Sequence, residues 1–103
     1  MDEQKFYFAL GLAQKAGKLA SGDFAVRAAL KGGEAKLLVL AADAAENSKK
    51  DFLFLAKEYQ VPVIEAATRD LLGSSIGKAH RTAVVILDSG FAAMLQKDVN
   101  VSV

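Results

Sequence analysis

The first apolar residues of the chain recur at helical spacing. Phe6, Ala9, Leu10 and Ala13 share one face, with Phe8 and Leu12 widening it. This predicts a helix over residues 3–16, closed by Gly17 as a C-cap. Lys18-Leu19-Ala20 reads as a short extended link. Ser21 or Asp23 can cap a second helix, which runs to Lys31 and stops at Gly32-Gly33. The spacing then changes. Residues 37–41, Leu-Leu-Val-Leu-Ala, form a continuous apolar run between turn signals, which suits a strand buried on both faces.

Helical spacing returns from Glu46 to Tyr59, with Phe52, Leu55, Ala56 and Tyr59 on one face. Val61-Pro62-Val63-Ile64 reads as a strand, its proline at the start, where a missing N–H is tolerated. Thr68 can cap a short helix from Arg69 to Leu72, and a glycine-punctuated loop, Gly73 to Arg81, follows. Thr82 to Leu87 is a further buried strand. Ser89 caps a last helix carrying Phe91, Met94 and Leu95, and the tail from Asp98 reads as loose or as an edge strand. Helices alternating with short buried strands predict an α/β fold, a three-layer α-β-α sandwich with a small mixed sheet. With no repeat, linker or low-complexity tract, residues 1–103 read as one domain.

Composition narrows the function. At 52% hydrophobic and 24% charged residues, the chain is globular rather than disordered. The absence of cysteine excludes disulfides, thiolate metal sites and thiol catalysis. A formal charge of +1 means that any basic surface must come from the distribution of charge. Asp2 and Glu3 stand where a signal peptide would be positive, and no apolar run approaches a membrane span. A cytoplasmic protein without a membrane partner is expected.

The sequence offers little catalytic chemistry. His80 is the only histidine and sits beside Lys78 and Arg81, as a solvated loop residue would. No second histidine or cysteine completes a zinc site, and the acidic residues are scattered singly. We expect neither enzyme activity nor a cofactor or metal. Gly73-Ser-Ser-Ile-Gly77-Lys78 fails as a nucleotide-binding phosphate loop: three residues separate its glycines where four are needed, and Ala79 follows the lysine. The same loop suits recognition of a nucleic-acid backbone. Gly73 and Gly77 permit close approach, Ser74 and Ser75 supply hydroxyls, and Lys78, His80 and Arg81 supply charge. It suits a connecting loop with a solvated basic end equally well. A second candidate is the turn from Leu19 to Arg27, where a helix start presents backbone N–H groups to an anion. Lys18, Arg27, Lys31 and Lys36 lie nearby, while Asp23 opposes an anion there. Alone, that segment reads as a capped helix with ordinary surface lysines.

Four stretches taken in order carry a family likeness. They are Lys15-Ala-Gly-Lys18 with Ser21-Gly22, Glu34-Ala-Lys36 running to Asp43, Tyr59-Gln-Val61-Pro62, and Leu72-Gly73-Ser-Ser-Ile-Gly77. From about residue 5 to 96 the chain resembles the L-seven-Ae/L-thirty-e superfamily of ribosomal and ribonucleoprotein RNA binders. Asp88-Ser-Gly-Phe91-Ala is similar to the bacterial YlxQ-type, ribosomal-protein-like branch. The resemblance implies binding of kink-turn or related structured RNA, ribosomal or ribonucleoprotein. It places the contact at Ser21, Gly22, Asp23, Phe24 and Arg27 on one side. On the other side it places Leu72, Gly73, Ser74, Ser75, Ile76, Gly77 and Lys78, with Lys36 and Arg69 at basic family positions. Phe24 and Ala25 replace the polar pair that reads sheared G·A bases, a family lysine falls on Ala28, and a family acid falls on Ala45. The expected function is therefore RNA binding mainly through backbone and shape. The alternative is a protein-interaction module on the same scaffold; a small-ligand or phosphate-binding domain is the weaker rival. On the RNA reading, Lys36, Arg69 and Lys78 converge on one face beside Gly22 and Gly73. Phe24 either packs into the core, as Phe most often does, or stands out and stacks on a base.

Overall fold

The computed structural model describes residues 3–99. Their elements run α1 (Glu3–Lys15), β1 (Leu19–Ser21), α2 (Asp23–Lys31), β2 (Leu37–Leu40), α3 (Glu46–Glu58), β3 (Val63–Glu65), α4 (Arg69–Ser75), β4 (Ala83–Ile86) and α5 (Ser89–Val99). The strands form one mixed sheet in the order β1-β4-β2-β3. β4 is antiparallel to both β1 and β2, while β2 and β3 are parallel and joined through α3. Every residue of β2 and β4 is buried. Consecutive strand side chains point to opposite faces, so a strand with no exposed residue must be covered on both. Two helix groups do this. α1, α4 and α5 pack together, α2 and α3 pack together, and each group touches the sheet. This is the expected sandwich.

Phe6, Ala9, Leu10 and Ala13 form the inner face of α1, and Gly17 closes it in a left-handed conformation at φ +71°. Phe6 and Phe52 are the largest fully buried side chains, one from each helix group. Each such burial contributes about 1.5–3 kcal/mol.

Several local expectations are corrected. Phe8 and Leu12 do not widen the buried face of α1; both are exposed. Residues 19–21 are a strand rather than a link, paired with β4 from Leu19↔Ile86 to Ser21↔Val84. Three residues are too few to show a period in the sequence. Neither Ser21 nor Asp23 caps α2: Gly22 is the N-cap, no side chain caps the helix, and Asp23 is its first residue. Tyr59 is the exposed C-cap of α3 rather than part of its inner face. β3 begins at Val63, after Pro62, whose carbonyl accepts from the Leu38 N–H at 2.9 Å. Thr68 does cap α4, its Oγ1 accepting from the Leu71 N–H, but the helix continues through Gly73 and Ser74 to Ser75. Met94 is exposed, while Ala92 and Leu95 are buried. Asp98 and Val99 belong to α5, and the tail beyond them lies outside the described residues.

The start of α5 yields a stability test. The Phe91 N–H donates to Asp88 Oδ2 at 2.9 Å, so Asp88 rather than Ser89 satisfies the open helix end. Asp88→Ala is expected to cost about 1 kcal/mol in urea unfolding, while Ser89→Ala stays within about 0.5 kcal/mol.

Candidate nucleic-acid interface

The strand register divides the sheet into two ends. Ser21 pairs with Val84, Leu40 with Ala83, and Leu40 with Glu65. The connections beyond these residues therefore gather at one end: Gly22 entering α2, Ala41 to Asp43 leaving β2, Ala66 to Arg69 entering α4, and Arg81-Thr82 entering β4. Both segments singled out in the sequence open onto this end.

Arg81 joins them. Its backbone N–H donates to the Arg69 carbonyl at 3.0 Å, and its side-chain Nε donates to Ser21 Oγ at 3.3 Å. Its Nη1 donates to the carbonyls of Ala79 and His80 at 3.2 and 3.0 Å, which folds the loop back on itself. Arg69 in turn holds the β2 exit. Its N–H donates to Asp43 Oδ1 at 2.8 Å, and its Nε lies 3.7 Å from the same oxygen. Just before α4, Ala67 adopts a left-handed conformation at φ +66°, and its carbonyl accepts from the Ala42 N–H. A non-glycine residue in that region carries roughly 1–2 kcal/mol of strain.

The start of α2 is electrostatically mixed. Gly22 sits at φ +91°, which a side chain would disfavour. The first N–H bonded along the helix is that of Val26, to the Gly22 carbonyl. The N–H groups of Asp23, Phe24 and Ala25 thus stand at the open helix end without an acceptor among the described residues. The Asp23 carboxylate is drawn away from them to Arg27 Nε, at 3.1 Å. Arg27 also lies 3.7 Å from Asp51 and covers the Phe52 ring, 4.9 Å from its centroid. Its charge is thereby spent locally. Phe24 does not pack inward; it is 87% exposed. A cleft of about 210 Å³ is lined by Gly22, Asp23, Phe52, His80, Arg81, Thr82 and Ala83.

The α4 segment is bound into the fold at most of its positions. Leu72 and Ile76 are buried core residues. Ser74 and Ser75 donate their hydroxyls to the carbonyls of Leu71 and Leu72, one helical turn back. Gly73 is buried because the returning loop crosses it: a Cβ there would overlap the Ala79 carbonyl and come within 2.8 Å of His80 Cα. Its missing side chain permits this close backbone packing. Gly77 turns the chain at φ +71°, and the Lys78 N–H donates to the Gly73 carbonyl at 2.9 Å. The Lys78 side chain is exposed and forms no ion pair among the described residues.

Lys36 does not join this end. It precedes Leu37, which pairs with Ile86, and its own N–H donates to the Ile86 carbonyl at 2.7 Å. Lys36 therefore lies at the far end of the sheet, where β4 finishes and β1 begins. The expected convergence of Lys36 with Arg69 and Lys78 fails on this register. Asp43 as the anchor of Arg69, and Arg81 as the link to Ser21, had no signal in sequence spacing, because both contacts are long-range.

A second depression, about 260 Å³, lies between α1 and α4, lined by Tyr7, Phe8, Gly11, Leu12, Lys15 and Ser75. Burial and the nearby Glu3 carboxylate raise the Tyr7 phenol above its ordinary range.

Comparison with known proteins gives a consistent picture. The profile of the family described as "Ribosomal protein L7Ae/L30e/S12e/Gadd45 family" matches residues 4–95. The chain is 37% identical over 95 residues to the RNA-binding protein YlxQ of Bacillus subtilis strain 168, covering 92% of this chain and 95% of that protein. It is 36% identical over 91 residues to the RNA-binding protein YlxQ of Enterococcus faecium, covering 88% and 87%. A solved structure, of a protein with unknown function from Bacillus halodurans, superposes with a TM-score of 0.85 at 36% identity. It covers 89% of this chain and 93% of that one.

The packing over Gly73 is open to test. Gly73→Ala forces the 79–80 backbone off α4 and is expected to cost about 1–3 kcal/mol in thermal or urea unfolding. Gly77→Ala meets open space and pays only for its left-handed backbone, about 1–2 kcal/mol. A Gly73→Ala protein as stable as the parent would remove the close-packing account.

Proposed function

Because the chain belongs to the ribosomal protein L7Ae/L30e/S12e/Gadd45 family, we propose that it is a small, single-domain, ribosomal-protein-like RNA binder whose site is the sheet end organised by Arg81. The observation that carries this reading is the bonding of Arg81 to both Ser21 and Arg69, which holds the start of α2 and the loop after α4 side by side. The curated relatives are named for RNA binding and not for an enzymatic reaction.

The geometry favours recognition of backbone and shape. Outward N–H groups at the α2 start and the free ammonium of Lys78 address phosphates. Gly22 leaves room for a backbone to approach. Arg27 and Arg69 are each engaged by a carboxylate, so they shape the surface more than they charge it. Phe24 and Ala25 offer no polar group to the edges of sheared pairs, so a kink-turn is distinguished from an unkinked control mainly by shape. Structured RNA, ribosomal or ribonucleoprotein, is the partner on this reading, in the cytoplasm. No helix among the described residues is long and apolar enough to cross a membrane.

Salt dependence tests the proposal. Binding to structured RNA should weaken steeply with ionic strength, with a log–log slope of about −0.7 to −0.9 per phosphate contact. Lys78→Ala should flatten that slope by about one contact's worth. Lys36→Ala, at the other end of the sheet, should leave it unchanged. An affinity indifferent to salt, or one lost through Lys36 and not through Lys78, would overturn the assignment.

A further inference from the structure

We propose that Phe24 commits this surface to an unpaired nucleotide, held by stacking on its ring rather than by hydrogen bonds to the edges of paired bases. The inference rests on the RNA-binding reading above and narrows its substrate class. Phe24 is the most exposed of the large apolar side chains described. It gives α2 no packing, because that helix anchors itself through Val26, Ala29 and Leu30. An exposed ring that adds nothing to the core is a hydrophobic surface available to a ligand.

The surroundings favour a flat partner. Gly22, two residues before it, has open space where a side chain would stand. Ala28, one turn further along α2, is exposed and carries only a methyl group. The one charged neighbour in sequence, Asp23, is tied to Arg27. The ring is therefore uncrowded. Gly22 and Asp23, the two residues before Phe24, line a cleft whose other wall carries His80 and Arg81. A base inside a duplex already has both faces stacked, whereas a bulged or single-stranded base has a free one. An aromatic platform without polar side chains at 24 and 25 therefore selects for the unpaired state and tolerates any base.

The test uses the whole chain and two RNAs: a fully paired blunt-ended duplex, and the same duplex carrying one bulged fluorescent purine. The parent protein is expected to prefer the bulged RNA and to quench the purine on binding. Phe24→Ala should weaken binding of the bulged RNA by about fivefold to 150-fold, leave the paired duplex's affinity unchanged, and abolish the quench. Because no charge is removed, its salt slope should match the parent's. Phe24→Tyr should restore both the preference and the quench. Since Phe24 is exposed, both variants should melt with the parent. Equal losses on both RNAs, or none on either, would overturn the inference while leaving the RNA-binding reading intact. A parent protein that binds neither RNA would overturn both. A Phe24→Ala protein that keeps its RNA affinities but loses a protein complex would also overturn it, and would make the ring a protein anchor.

Discussion

Two adjacent strands, β2 and β4, have no exposed residue, and the architecture follows from covering them. Their backbone groups are satisfied by pairing with each other and with β1 and β3. Their side chains point alternately to both faces, so one layer of helices cannot suffice. The helices fall into two groups, and every connection is driven to one end of the sheet or the other. The candidate site is a consequence of that sorting. It lies where β1 exits, β2 exits and β4 enters, at three neighbouring strand ends.

Within that end, charge is used mostly for construction. Arg27 bridges Asp23 and Asp51 over the Phe52 ring, Arg69 is fastened to Asp43, and Arg81 spends three donor contacts on its own loop and on Ser21. Exposed ion pairs of this kind contribute little stability singly, about 0–1 kcal/mol. Their effect is to hold the loops in one arrangement, so that ordering them is not left to the moment of binding. Among the described residues, Lys78 forms no ion pair, and the first amides of α2 have no acceptor.

Glycines set how closely the layers approach. Gly73 lets the loop backbone cross α4 directly, and a Cβ on Gly11 would meet the Ser75 carbonyl at 3.1 Å. α4 is therefore clasped between α1 and the returning loop, which fixes the base from which Lys78 extends. The depression beside Gly11 and Ser75, with Phe8 and Leu12 on its rim, is the outer side of this same contact.

By itself the sequence determined the elements whose signal is local. The inner face of α1 from Phe6 to Ala13, the apolar runs of β2 and β4, the stop at Gly17 and the Thr68 cap follow from side-chain period and backbone preference over a few residues. The mixed three-layer fold and the family were legible in the same way, through ordered motifs. Less local features were not. Three residues of β1 carry no period, and only their pairing with β4 makes them a strand. Gly73 looked like a ligand-facing loop residue because glycine signals freedom, and the fold used that freedom for packing. Leu72 and Ile76, which the family resemblance set among the contact positions, are buried in the core. The exposure of Phe24, the distance of Lys36 from the site and the joining role of Arg81 were decided only by the tertiary structure. Each depends on which strand lies beside which, and that follows from long-range pairing.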